Sequence, residues 1–318
     1  HFLGSAKWDD RKVRRIAARH AMEAMEAQAG EPVSVFIVDD TGMLKQGEHS
    51  VGVARQYTGS AGKVTNCQIA VTLSVATSAE AVPIDAELYL PQSWADDPER
   101  RAKARVPDDV KFQTKTELAL DMIERACLDD IDGKILLADS AYGESSDFRS
   151  VVRLYGFDYA VGVRPLTKVF ILGDRDDLGG KAIGIGELGR LLGPKAFRRY
   201  TWRDGTKHRL SGRFCFRRVK TAHEDGVDPT DREAQWLLIE WDDDRAKMKF
   251  YLTTLPRRMS KKRIIRILKE RWRTERIYEE LKGELGFDHF EGRSFPGWHH
   301  HVSVVLCCYA FVVAERVR

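Results

Sequence analysis

Lys261 to Leu285 reads KKRIIRILKERWRTERIYEELKGEL, a stretch with helical patterning, dense positive charge, and one acid placed where a basic face meets an apolar one. The spacing predicts a single long helix. At about 100° per residue, Leu268, Arg271, Trp272, Glu275, Glu279 and Lys282 share a sector of roughly 100°, and Ile267, Tyr278, Leu281 and Leu285 form an adjoining apolar stripe. Glu275 then sits at the edge of the buried side among cations. A carboxylate there can hold a metal ion against a phosphate gripped by Arg271 and Lys282. The same pattern also fits an amphipathic surface helix laced with i,i+4 charge pairs, so the helix alone does not decide.

Upstream of this stretch, Pro165 to Leu255 carries short alternating segments, Arg198 to Trp202, Arg209 to Val219, Ala234 to Trp241 and Lys247 to Thr253, separated by Asp-Gly and Asp-Asp-Asp turns. They read as an inserted, largely β subdomain over residues 165–256. Between Arg190 and Lys220 stand eleven Lys or Arg and one acid, Asp204. Arg198, Arg199, Arg217 and Arg218 are its candidate phosphate contacts. Phe197, Tyr200, Trp202, Phe214 and Phe216 are interleaved with them, and rings in such a setting can stack on unpaired bases. A solvated β surface is the plainer reading of the same charges.

Further upstream, residues 33–164 read as the first part of a core, after a leading helical segment in 1–32. Val33 to Val38 is a strand-length apolar run that halts at Asp39-Asp40-Thr41-Gly42. Asn66 to Thr77 and Val82 to Leu90 are further strands, with the Gly-rich Val51 to Gly62 as connector. After a helix from Thr114 to Cys127, the short apolar run Ile135 to Ala138 also ends on an acid, Asp139. A helix near Ser145 to Tyr155 and a strand Tyr159 to Val163 complete an order that begins as an antiparallel meander and continues through parallel crossovers. Residues 257–318 add the charged helix and a final apolar helix from Trp298 to Val313.

Composition sets the outer bounds. With 318 residues and 43% hydrophobic content the chain is globular, neither disordered nor fibrous. The formal net charge of +4 is too small to identify a nucleic-acid binder by itself, which leaves the argument to local charge. Five scattered cysteines without a C-x-x-C pair suggest no disulfide framework or zinc ribbon and fit a reducing cytosol. The apolar run Val302 to Val313 is about half the roughly 20 residues of a membrane helix, so no membrane partner is expected. The sequence starts at His1 and stops directly after an apolar helix, and it reads as a piece of a longer protein.

Two strand ends bearing Asp and a helix bearing Glu can converge, because a mixed sheet gathers its strand ends under a crossing helix. Clustered carboxylates repel by roughly 4 kcal/mol per pair at about 4 Å and an effective dielectric near 20, so protons or divalent cations must hold them. Oxygen-only ligands select Mg²⁺ or Mn²⁺, and two such ions can activate a water or a 3′-hydroxyl and stabilise the leaving oxygen of a phosphodiester. For Asp139 the plainer role is a helix N-cap. Adjacent His299, His300 and His301 point about 100° apart on a helix and cannot all serve one ion.

With DDTG at Asp39 to Gly42, ADSAYG at Ala138 to Gly143, a β insertion, Arg271-x3-Glu275-x6-Lys282, and GWHHH at Gly297 to His301, the chain resembles the DDE transposases of bacterial insertion sequences. Within them it is most similar to the insertion-sequence-701 group and its insertion-sequence-4 relatives. The resemblance runs from about Val33 to Arg316. It implies an α/β fold with a ribonuclease H-like mixed sheet flanked by helices and a mostly β insertion before the last catalytic helix. It implies Asp39, Asp139 and Glu275 as a triad binding two Mg²⁺ or Mn²⁺ ions, with Asp40 an alternative to Asp39 and Glu279 an alternative to Glu275. Arg271 and Lys282 would contact phosphates of the transposon end. The tyrosine usual three residues before the motif arginine is Leu268 here.

The expected activity is hydrolysis at transposon ends followed by strand transfer of the freed 3′-hydroxyl. The expected partners are double-stranded DNA and a homodimer or higher synaptic assembly, in a bacterial cytoplasm near the nucleoid. A catalytically inactive, domesticated DNA-binding protein is a second reading, against which all three acids are present. A haloacid-dehalogenase-like phosphohydrolase is a third, but it needs D-x-D, which Val38-Asp39-Asp40-Thr41 does not supply.

Overall fold

A computed structural model of the chain describes residues 3–4, 6–173, 178–204, 209–222, 228–241 and 247–318. In chain order its elements are α1 (Asp10–Ala29), β1 (Val35–Leu44), β2 (Ala54–Thr58), β3 (Lys63–Ala76), β4 (Ala81–Tyr89), α2 (Gln92–Ala95), α3 (Pro98–Ala104), α4 (Lys115–Leu128) and β5 (Ile135–Ala138). There follow α5 (Ser140–Gly143), α6 (Ser146–Leu154), β6 (Asp158–Val163), β7 (Lys168–Leu172), β8 (Leu178–Gly184), α7 (Ile185–Leu191), β9 (Arg198–Asp204) and β10 (Arg209–Thr221). The last are β11 (Gln235–Trp241), β12 (Met248–Thr253), α8 (Lys261–Lys269), α9 (Trp272–Gly283) and α10 (Phe295–Val317). This is the expected α/β class, with strands of mixed direction flanked by helices in the ribonuclease H-like manner and a mostly β segment ahead of α8 and α9.

Two compact units make up the chain: His1–Gly133 with Trp272–Arg318, and Lys134–Arg271. The second unit therefore takes in β5, α5, α6 and β6 along with the segment expected as an insertion at 165–256.

In the first unit β3 is the central strand. One edge pairs antiparallel with β1 along its whole length, and the other takes β2 near Cys67 and then β4 from Ile69 onward. α1 is started by the Asp9 side chain, which accepts from the Lys12 N–H, and ended by Gly30 in the left-handed region at φ 66°. α4 opens with a reciprocal capping box between Thr114 and Glu117. α10 is long and apolar enough to cross a membrane by length and composition, yet half of it is buried against α1 and β4, as expected of a terminal core helix. Trp298 and Val302 are fully enclosed.

In the second unit β5 and β6 run parallel, as their crossover through α5 and α6 requires, and β6, β12, β11 and β10 continue antiparallel. β10 then carries β9 along its first half and β7 along its last residues, with β8 beyond β7.

Three expectations need correction. The strand expected to halt at Val38 runs on to Leu44, so Asp39 and Asp40 lie inside it, because β3 supplies ladder partners through Cys67. The connector at 51–62 contains a strand, β2. The single helix at 261–285 is two helices with a turn at Glu270 and Arg271. α8 buries Ile264, Ile265 and Leu268, whereas α9 buries Thr274, Ile277 and Leu281. On one continuous helix these two sets would point about 200° apart, so the chain must break to bury both. The expected Asp204-Gly205 and Asp242–Asp244 turns extend outside the described residues.

Candidate functional site

Neighbouring residues of a strand point to opposite faces, and the pairing of β1 with β3 assigns each face a neighbour. Asp39 stands opposite Thr72, and Asp40 opposite Val71. The Thr72 hydroxyl lies 2.6 Å from the Tyr278 hydroxyl of α9, which marks the Asp39 face as the one that α9 covers. Asp40 turns the other way, where the Lys115 ammonium of α4 donates to its Oδ2 at 3.1 Å. Asp39 Oδ1 accepts the Asp40 N–H at 2.9 Å. Both acids are half-buried.

Gly42 completes the local geometry, since a Cβ there would lie 2.1 Å from Thr58 Oγ1. Only glycine lets the buried Thr58 side chain fill that space.

On α9, Glu275 is exposed, with Tyr278 one turn further along the same side and Lys282 one turn beyond it. Lys282 Nζ donates to the Gly42 carbonyl at 2.8 Å and to Ser60 Oγ at 3.0 Å. Burial pulls its ammonium below the usual lysine range, against the opposing charge of Asp288. Thus α9 carries Glu275 on the same side as Tyr278 and Lys282, whose contacts hold the helix to β3, β1 and the β2–β3 turn. Glu279 is exposed on the same helix.

Asp139 belongs to the second unit, at the end of β5. Its side chain does cap α5, accepting the Ala141 N–H at 2.8 Å through Oδ1. Capping occupies one oxygen's direction and is compatible with further ligation by a carboxylate. α5 presses closely on β6, since a Cβ at Gly143 would lie 2.1 Å from the Gly162 carbonyl oxygen. Tyr142 beside it is fully buried, as a packing residue should be.

The donors on the α9 flank are all oxygen, as hard divalent cations prefer, so in kind they suit Mg²⁺ or Mn²⁺. Among the described residues no group of three or more His, Cys, Asp or Glu is arranged to hold a metal ion. The histidine triplet is used structurally. His299 meets Glu87 Oε2 at 3.2 Å and the Phe295 carbonyl at 3.0 Å, His300 stacks on Trp8 at 4.2 Å, and His301 meets the Gly286 carbonyl at 3.0 Å.

In the second unit Arg198 and Arg199 are exposed on β9, Arg199 donating to Ser211 Oγ at 2.8 Å. Arg217 and Arg218 are half-buried and donate to the Phe216 and Ala234 carbonyls, each at 2.9 Å. The expected stacking platform is in large part a core: Phe197, Phe214 and Phe216 are buried, with Tyr200 edge-on to Phe214 and Phe216 and Trp202 edge-on to Phe214. Alternation on strands that are covered on one side sends those rings inward. Lys269 of α8 lies 4.9 Å from the Trp202 ring centre and pairs with Glu240 at 2.6 Å, which seats that helix on the β layer. Arg271, in the turn, lends its charge to the surroundings of Tyr251, whose hydroxyl is pushed up by burial and by Glu240.

A second cluster of acids lies on the face opposite Asp39. On β4, Asp85 is paired with Arg14 at 3.1 Å and Arg125 at 2.7 Å, and Glu87 with Arg11 at 3.0 Å, Arg125 at 2.8 Å and His299. Burial alone would raise the Glu87 carboxyl, but His299, Arg125 and Arg11 hold it well below the usual carboxylate range. A cavity of about 740 Å³ lined by Arg11, Glu87, Asp121, Arg125 and His299 adjoins this cluster and includes neither Asp39 nor Glu275.

Sequence reasoning placed Tyr278 in an apolar stripe and did not single out Thr72, Ser60 or Lys115. The one available signal was the spacing of Tyr278 three residues after Glu275.

The family described as DDE superfamily endonuclease matches residues 1–209, a span that includes Asp39, Asp40 and Asp139 and stops short of Glu275. A protein of Microchaete diplosiphon described as a probable transposase for insertion sequence element IS701 is 32% identical over 173 residues. That alignment covers 54% of this chain and 42% of the relative, so the chain spans less than half of that protein's length in the match.

Proposed function

The chain belongs to the DDE superfamily endonucleases, and from that premise we propose that it is a DNA transposase that hydrolyses phosphodiesters at transposon ends and transfers the freed 3′-hydroxyl to target DNA. Enzymes of this superfamily use divalent metals. We assign the metal-binding carboxylates to Asp39, Asp139 and Glu275. The observation that carries the reading is the common flank of Asp39 and α9, with Asp40 turned away into its pair with Lys115. Asp139 enters on its position at the end of β5 and on the ADSAYG pattern.

Bound Mg²⁺ or Mn²⁺, two ions in this proposal, would supply an activated water or 3′-hydroxyl and stabilisation of the leaving oxygen. The chain's own part is to present oxygen donors and to orient them. Asp39 does so from a strand laddered to β3 along its whole length, and Glu275 from a helix anchored one turn away. Arg271 and Lys282 are proposed to contact phosphate, as are the exposed Arg198 and Arg199; Arg217 and Arg218 are proposed to steady β10 and to add to its positive field. The relative's description as a transposase supports DNA as substrate. A homodimer or larger synaptic assembly in the bacterial cytoplasm, associated with the nucleoid, belongs to the same proposal.

The test is cleavage of a labelled duplex carrying the element's own end, with Mg²⁺ or Mn²⁺, by wild type, Asp139→Asn and Glu275→Gln. Wild type should cut, and both variants should bind DNA and leave it intact. Variants that cut as well as wild type would overturn the assignment.

A further inference from the structure

Resting on that catalytic assignment, we propose that the Tyr278–Thr72 hydroxyl pair is a positioning device that seats α9, and with it Glu275, against β1 at Asp39.

The apolar side of α9, Ile277 and Leu281 with the buried Thr274, fixes how deep the helix lies. Hydrophobic contact is non-directional, so it leaves the helix free to slide or roll by fractions of a turn. Directional contacts remove that freedom. The Tyr278 and Thr72 oxygens are 2.6 Å apart, a short separation even for hydroxyls, and Thr72 Oγ1 lies 3.5 Å from the carbonyl oxygen of Asp39. A consistent proton arrangement has Tyr278 donating to Thr72 and Thr72 donating to Asp39, which ties the helix to the backbone of the strand residue that carries the first carboxylate.

One turn on, Lys282 fastens α9 to Gly42 and Ser60, and Ser60 Oγ lies 3.3 Å from Thr41 Oγ1. Two anchors on successive turns set both the rotation and the axial position of the helix. Glu275, one turn before Tyr278, inherits that setting. A displacement of about 1 Å at a reacting centre can cost about a hundredfold in rate, so a single hydroxyl pair can matter far more to chemistry than to folding. Tyr278 and Thr72 touch neither substrate nor metal in this scheme; they are positioning residues.

The experiment uses the full chain and compares wild type with Tyr278→Phe, Thr72→Val, Thr72→Ser and the Tyr278→Phe/Thr72→Val double variant. Mn²⁺ binding to the DNA-free protein is followed by the electron-paramagnetic signal of free Mn²⁺, and single-turnover cleavage is measured at saturating Mn²⁺. Tyr278→Phe and Thr72→Val should each weaken Mn²⁺ binding by about tenfold while melting within about 4 °C of wild type. The double variant should lose no more than either single one, because both remove the same contact. Thr72→Ser, which keeps the hydroxyl, should bind Mn²⁺ as wild type does. Unchanged Mn²⁺ binding in both single variants, or losses that multiply to about a hundredfold in the double, would overturn the proposal.

Asp39→Asn and Glu275→Gln serve as controls. If they bind Mn²⁺ and cut like wild type, or wild type itself does neither, the catalytic assignment has failed. If they are inactive while Tyr278→Phe and Thr72→Val match wild type, the assignment stands and only the positioning role falls.

Discussion

On one face of the first unit's sheet, Asp40, Asp85 and Glu87 each meet cations delivered by α1 or α4, Glu87 also meets His299 of α10, and Glu87 is only 6% exposed. On the other face Asp39 shares its side of the sheet with Thr41 and Thr72, the Thr72 hydroxyl meets Tyr278 of α9, and Glu275 of that helix is exposed. Alternation along β1, β3 and β4 produces the separation, since 40, 71, 73, 85 and 87 share one side and 39, 41 and 72 the other. On the proposed assignment, neighbouring acids of one chain do different work. A carboxylate enclosed by guanidinium groups is committed to the fold, because removing either partner strands a buried charge. Asp39, on the side that α9 covers, is the one proposed to take an ion from solution.

The sharpest way to break this contrast is to neutralise the adjacent acids one at a time. Asp39→Asn should slow metal-dependent cleavage by about a thousandfold or more, the scale of several kcal/mol of lost charge stabilisation, with the melting point unchanged. Asp40→Asn should leave cleavage within a few-fold of wild type and lower stability by about 1 kcal/mol or less. Equal losses of cleavage in the two variants would sink the assignment of faces.

Glu87 tests the opposite face. Glu87→Gln leaves Arg11, Arg125 and His299 facing a neutral group, and should cost about 3 kcal/mol of stability in denaturant unfolding. The acid dependence carries a sign. The folded protein holds the Glu87 carboxyl below its usual value, so its ionised form stabilises the fold above the unfolded-chain value of about 4.3, and that contribution drains away as pH falls below it. Wild type should therefore lose more stability than Glu87→Gln on going from pH 5 downward; parallel curves would show that Glu87 is not the group responsible.

How much of this could be read in advance follows from where the partners lie. β5 was legible to the residue, because Ile135 to Ala138 is a short apolar run bounded by Gly133 and Asp139. α4 announced itself through Thr114 and Glu117, a cap contained within four residues. The passage of β1 through two acids was not legible, since the charge that meets Asp40 comes from Lys115, 75 residues away. The break between α8 and α9 has no proline or glycine to mark it, and shows only as a change of phase between Leu268 and Thr274. The proposed triad of Asp39, Asp139 and Glu275 rests on motif resemblance. The hydroxyl that anchors the helix was not legible, because Tyr278 reads as part of an apolar stripe until its partner, 206 residues distant, is in view.

The smallest effect belongs to Lys115, and it separates charge from catalysis most finely. Its ammonium is 28% exposed and its partner Asp40 17%, so solvent screens the pair and Lys115→Met should cost less than about 1 kcal/mol. The cost should shrink further in high salt. Adding Lys115→Met to Asp40→Asn should change little, since the first substitution has already removed the attraction. Cleavage should be unaffected in the single variant, because α4 covers the face away from α9. A Lys115→Met protein that folds normally but cuts as poorly as Asp39→Asn would mean that the cation acts through the strand on the opposite face, and that the two sides of β1 are coupled rather than divided.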